Sequence, residues 1–148
     1  MANQPFAMRA SGNIIRSRFV MLDNTNPGTG AASGNNVLQA TLNVPTIGIA
    51  DIAGGDPPLS DYLTQSPPYA AQAGENVRVH ALGARCDLEI GVGGCVAGDE
   101  LKPDANGAGV AVGITGKGRV GAIAIAGANQ GELVEVEVVR YDKYGAAS

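Results

Sequence analysis

Glycine is placed through this chain so that it cuts the apolar residues into short runs; 22 of the 148 residues are glycine. No convincing long amphipathic helix survives between them, which counts against units that alternate strand and helix. What survives has strand length. Asn76–Leu82, Val110–Ile114, Val120–Ala126 and Leu133–Tyr141 read as strands, rich in Val, Ile and Ala and bounded by turn residues. The last run alternates Val134, Val136 and Val138 with Glu135 and Glu137, giving a valine face for a core and a carboxylate face for water or a basic neighbour. Val120–Ala126 is apolar on both faces and is expected at a sheet centre, covered on both sides. Gly48 in VPTIGIAD and Gly121 in GRVGAIAIA stand inside apolar runs, where glycine marks a bulge or a close backbone approach.

Turn chemistry supports the same class. Asp104-Ala105-Asn106-Gly107 has the pattern of a tight hairpin turn, since Asn-Gly favours positive φ. Further turns are expected at Gly91–Gly94, at Gly98-Asp99 and at Asn129–Gly131. Ile14–Leu22 is the first expected strand of the body. A second strand region, Val37–Ile52, is split by Pro45, which has no amide hydrogen to give a ladder. Between them lies a polar, Gly-rich loop over 23–36. Gly54–Gly74 carries two Pro-Pro pairs and reads as an excursion with stiff corners; its Leu59, Tyr62, Leu63 and Tyr69 either pack back or meet a partner. The expected architecture is all-β: a small β-barrel or sandwich with an extended N-terminal arm and long Gly/Pro-rich loops. Residues 1–13 are the arm, and 14–148 a single β domain with an inserted loop at about 54–74.

The chain is 45% hydrophobic but only 4% aromatic, with no Trp, so its core relies on thin aliphatic side chains and gains from assembly with other chains. Net charge is −4, and Lys and Arg are scattered rather than clustered. An acidic surface without a basic block gives no reason to expect direct contact with nucleic acid. No apolar stretch approaches a membrane span, and no basic segment followed by an apolar one opens the chain, so synthesis in the cytoplasm is expected.

The candidate chemistry is sparse. Gly116-Lys117-Gly118 lacks the hydroxyl residue and the first glycine of a phosphate loop. His80 is the sole histidine and has no metal-ligand set around it in sequence. Cys86 and Cys95 read as two small buried thiols that a turn at Gly91–Gly94 could bring face to face, with a disulfide as the alternative once the protein leaves a reducing cytosol. Asp87, Glu89, Asp99, Glu100 and Asp104 read as solvated acids near turns. No catalytic residue, cofactor or metal is expected; a deep pocket holding His80 and two carboxylates would favour an enzyme.

AGDELKPDANGAGVAV (97–112) and GRVGAIAIAGANQGELVEVEVV (118–139) resemble the small decoration, or cement, proteins of tailed bacteriophage capsids. In that family a Gly-Asp turn and a hydrophobic residue lead to a D-x-N-G-like hairpin. A strand containing glycine follows, then a Gly-Glu turn and a closing V-x-V strand. Here these correspond to Gly98, Asp99, Leu101, Asp104–Gly107, Val120–Ala122 and Gly131–Val136; VPTIGIA (44–50) is similar to an earlier element. The resemblance covers residues 74–140, and 14–52 more faintly. It implies a structural protein on the outer surface of a virion capsid, often a homotrimer, bridging adjacent major capsid protein subunits. Within that reading the protein interface is expected at Phe6, Met8, Arg16, Arg18, Leu59, Tyr62, Leu63 and Tyr69, the two arginines facing an acidic coat surface. The competing reading is a small β-barrel ligand-binding or carrier module; biotinyl- and lipoyl-like domains present a Lys flanked by Met or Ala at a hairpin tip, a pattern that Lys102-Pro103 and Gly116-Lys117-Gly118 do not match.

Overall fold

A computed structural model describes residues 6–23, 36–42, 44–52, 69–113 and 116–144, and every regular element among them is a strand. In chain order these are β1 (Phe6–Ala10), β2 (Ile14–Ile15), β3 (Phe19–Leu22), β4 (Asn36–Gln39), β5 (Gly48–Ile52) and β6 (Tyr69–Ala71). They continue as β7 (Asn76–His80), β8 (Arg85–Glu89), β9 (Glu100–Pro103), β10 (Gly109–Ala111), β11 (Lys117–Ala124) and β12 (Leu133–Tyr144).

The first half closes on itself. Strands β1, β4, β3, β5 and β7 form a five-stranded barrel, with β2 and β6 as a separate two-stranded pair. Its interior holds Met8, Ala10, Val20, Val37, Ala50, Val77 and Val79. Small and β-branched side chains suit the narrow lumen of so few strands. Residues 6–10 were expected in the N-terminal arm, and here they belong to the body. β1 runs antiparallel to β7 from Phe6↔Val79 to Arg9↔Asn76 and meets β4 in parallel at Arg9↔Asn36. Met8 and Ala10 are buried. The barrel needs β1 to satisfy the edges of both neighbours, a demand invisible in a segment with little pattern of its own. Residues 1–5 lie outside the described residues, as does most of the expected loop at 54–74, whose described end supplies β6.

The expected strand Ile14–Leu22 is broken in two at Ser17, whose φ of 59° is the one positive value at a non-glycine residue among those described. The break turns the backbone toward the second half. Ser17 accepts a hydrogen bond from the Glu89 amide (2.9 Å) and donates its own amide to the Ala50 carbonyl (2.9 Å).

The second half is a five-stranded sheet in the order β10-β9-β11-β12-β8. Its two edges approach at Ile90 and Gly109, where the Gly91 amide donates to the Gly109 carbonyl at 2.7 Å. β11 is central, as its sequence predicts, but only one face is fully covered. Val120, Ala122 and Ala124 are buried, whereas Ile123 is half-buried and Ile125, just past the strand, is 39% exposed. On β12, Val134, Val136 and Val138 point into the core as expected.

A shared core locks the halves together. Phe19 of β3 is fully buried in one core with Ala40 and Ile49 of the first half and Leu88, Leu101, Ala122 and Val136 of the sheet. Room for it comes from Gly121, where an added Cβ would lie 2.5 Å from Thr46 Oγ1 and 2.7 Å from Phe19 Cε1. The β11–β12 register slips at this point, so both expectations for the glycine, bulge and close approach, are met. Gly48 meets the second: its Cβ would lie 2.2 Å from the His80 carbonyl oxygen.

Candidate functional site

The Asp104–Gly107 turn joins β9 to β10 as expected and also fastens the two halves. Asp104 Oδ1 accepts the amides of Asn106 (2.7 Å) and Ala108 (3.0 Å), and Gly107 takes φ 80°. So ordered, the turn presents the Asn106 carbonyl to Arg18 Nη1 and to Gln39 Nε2, both at 2.8 Å, and the Gly107 carbonyl to the Phe19 amide at 2.8 Å. Arg18 Nη2 reaches Glu89 at 2.8 Å. The Arg18 side chain is only 13% exposed, so its charge is used internally as a brace rather than offered outward.

Beside this brace a polar cleft of about 320 Å³ opens between the halves. The barrel side contributes Arg16, Asp51 and His80; the sheet side contributes Arg85, Cys86, Asp87 and Glu135. Asp51 stands at the end of β5. One of its oxygens is 3.2 Å from Arg16 Nε and the other 3.3 Å from His80 Nε2. The cleft therefore holds the His80 and the carboxylates that would favour an enzyme. The cysteine in the cleft is not activated. Burial, reinforced by Asp87 and Asp51, pushes the Cys86 thiol up to about 12, so it stays protonated at neutral pH and is a poor nucleophile. No group of three or more His, Cys, Asp or Glu side chains placed to hold a metal ion occurs among the described residues.

The remaining residues expected at an interface are scattered. Met8 is 8% exposed and packs in the barrel core, where it also borders a surface depression lined by Leu22, Leu82 and Arg140. Phe6 is in β1; its side chain, and all of Leu59, Tyr62 and Leu63, lie outside the described residues. Tyr69 is half-buried in β6, and its strand pairs with β2 at Ile15. Cys86 and Cys95 are free thiols, half-buried rather than buried. Cys95 does not face Cys86 across a hairpin but bridges to Ala128. Lys102 lies within β9, and Lys117 is paired with Tyr144 at the start of β11, so neither stands at the tip of a turn. Asp51 and Asn106 had drawn no notice as organising residues; the signal for Asn106 was present in its Asp-x-Asn-Gly turn.

No protein-family model and no curated protein matches the chain. Among solved structures, it is similar to the head fiber gp8.5 N base of bacteriophage phi29, with a TM-score of 0.54 at 18% sequence identity. The match covers 94% of this chain and 96% of that one. The likeness shows that the two chains share an overall fold over nearly their whole lengths.

Proposed function

We propose that this chain is a structural protein of a bacteriophage virion, made in the host cytoplasm and carried on the outer surface of the capsid. There it contacts the major capsid protein and bridges adjacent subunits. The observation that carries this reading is the near end-to-end fold match with a phage head-fiber base, reached independently of the resemblance in residues 74–140. Function of this kind resides in contact area rather than turnover. The raised Cys86 thiol, and an Asp51 carboxylate already held by Arg16 and His80, agree with it. The working assembly is a homotrimer, in which copies around one axis multiply weak contacts with the shell. Neither nucleic acid nor a membrane is a partner in this reading. The same match favours a second reading at finer grain: the chain is the base of a longer head fiber rather than a free-standing cement protein.

Electron microscopy of the assembly that co-purifies with the chain tests both. Density on the outside of the shell, at positions where coat subunits meet, supports the proposal; a projection rising from it selects the fiber base. Density inside the shell or at the tail, or a particle that never joins a virion, overturns it. Mass measurement in solution tests the trimer separately.

A further inference from the structure

The β11–β12 ribbon outruns the sheet that contains it. β12 pairs with β8 from Leu133 to Glu137, and Val138 is satisfied by Gly83 and Ala84. Beyond Val138 no described strand pairs with β12 on the side away from β11, although β11 stays paired with it as far as Tyr144. An antiparallel edge of about six residues, roughly 20 Å long, is therefore unpaired among the described residues.

This edge borders a continuous trough. Arg140 lines three adjoining depressions of about 340, 170 and 330 Å³. The wall of the trough is aliphatic: Leu22, Val44, Ile47, Leu82 and Val139. Leu22 and Leu82 are 52% and 62% exposed, the kind of apolar surface that a partner covers. At the far end Arg119 joins Arg140, with Tyr141 and a single acid, Asp142. Both arginines are exposed and neither has an ion-pair partner among the described residues, in contrast to Arg16, Arg18 and Arg85. Two unpaired guanidiniums against one carboxylate make this a locally basic site on a chain of net charge −4.

We infer that the trough docks an extended acidic and aliphatic segment of a partner protein, added as a strand to the open edge of β12. Its apolar side chains lie on Leu22 and Leu82, and its carboxylates face Arg119 and Arg140. Strand addition supplies backbone hydrogen bonds, and the alternate side chains supply selectivity. The inference deepens the capsid-surface reading, on which it rests only for the origin of the segment: a coat-protein strand of that composition.

The test titrates the full chain against a fluorescent ten-residue peptide alternating leucine and glutamate, and against its leucine–lysine counterpart. Saturable binding of the acidic peptide alone is expected, weakened by rising salt. Arg140→Glu should lose at least about tenfold in affinity, Arg119→Glu less, and Leu82→Asp a comparable amount, all with unchanged melting temperature. Arg140→Glu should in turn gain affinity for the lysine peptide. Equal binding of both peptides, indifference to all three substitutions, or self-association abolished by Arg140→Glu, which would make a second copy the occupant, overturns the inference. Occupancy on purified shells separates the two levels. Shells decorated equally by the wild type and Arg140→Glu overturn the trough as the contact and leave the capsid reading standing. A wild type that takes the acidic peptide but never decorates shells upholds the trough and removes the capsid reading.

Discussion

The two halves of this molecule solve the problem of strand edges differently. The barrel closes five short strands, and its pairings join segments far apart in sequence, β1 to β7 and β3 to β5. The sheet is built around one local hairpin, β11–β12, whose ladder runs from Lys117↔Tyr144 to Ala124↔Val136. Closure removes edges but demands every strand; a local hairpin forms readily but leaves an edge beyond its neighbours. The barrel is thus the scaffold, and the sheet carries the surface that remains open. Yet they are not independent domains, because Phe19 belongs to both.

Phe19→Ala probes that dependence most severely. Truncating a fully buried ring between the halves should cost about 3–5 kcal/mol. Calorimetry should show one transition at a lower temperature. Two separated transitions would mean that the halves fold as separate units and that the shared core is incidental. Gly48→Ala attacks the barrel alone. Its new methyl group would meet the His80 carbonyl at 2.2 Å, a backbone atom that cannot swing aside, at a cost of about 3 kcal/mol by overpacking. If the barrel is the scaffold, urea melts of this variant should lose sheet and barrel signals together in amide exchange. Loss confined to β5 and β7 would confine the scaffold role to those strands.

The contrast also explains what could be read from the chain. The sheet was legible because its pattern and its pairing are local: valines alternate along β12, and Asn129–Gly131 and Asp104–Gly107 form their turns within a few residues. The barrel was less so. Nothing within residues 6–10 announces a strand whose partners lie at 36–37 and 76–79. Nor does Ser17 announce a positive φ, since serine has no special ease there. The same physics governed the site residues. Arg16 and Arg18 share one face of the IIRSRFVML run, and the fold pairs them with Asp51 and Glu89 from distant strands. Arg119 and Arg140 drew no attention because they became neighbours only through the β11–β12 register and the approach of Thr46.

Arg18→Met sharpens the role of the brace. It keeps most of the side-chain volume but removes the bonds to Glu89 and to the Asn106 carbonyl, a loss of about 2 kcal/mol for charge-assisted bonds in a mostly covered setting. The double variant with Glu89→Gln should recover part of that, because the stranded carboxylate is then gone. A double variant as unstable as the sum of the singles would mean that Arg18 acts through the Asn106 turn alone.

The smallest effect falls on the open ribbon and is read through pH. Glu100 of β9 accepts hydrogen bonds from Lys143 (2.5 Å) and from Tyr141, tying the free end of β12 back to the sheet. The Lys143 bond first, and the Tyr141 bond second, hold the Glu100 carboxyl below its ordinary 4.5. A lowered carboxyl stabilises the fold above its unfolded value and loses that contribution as pH falls through the folded one. Glu100→Gln should therefore cost less than about 1 kcal/mol at neutral pH, since the group is partly exposed. The difference from wild type should shrink to nothing once pH drops below the folded value. Tyr141 has the opposite sign: burial, and then the Glu100 carboxylate, push its phenol up to about 12 from 10. Its contribution is whole below pH 10 and fades as pH rises toward 12, and removing the Glu100 charge should make that alkaline loss milder. Urea melts of both proteins from acid to alkaline pH would show a stability gap closing at the two ends. A gap constant across the range would mean that the ribbon is held by backbone pairing alone, and that its edge is equally ready for a partner at any pH.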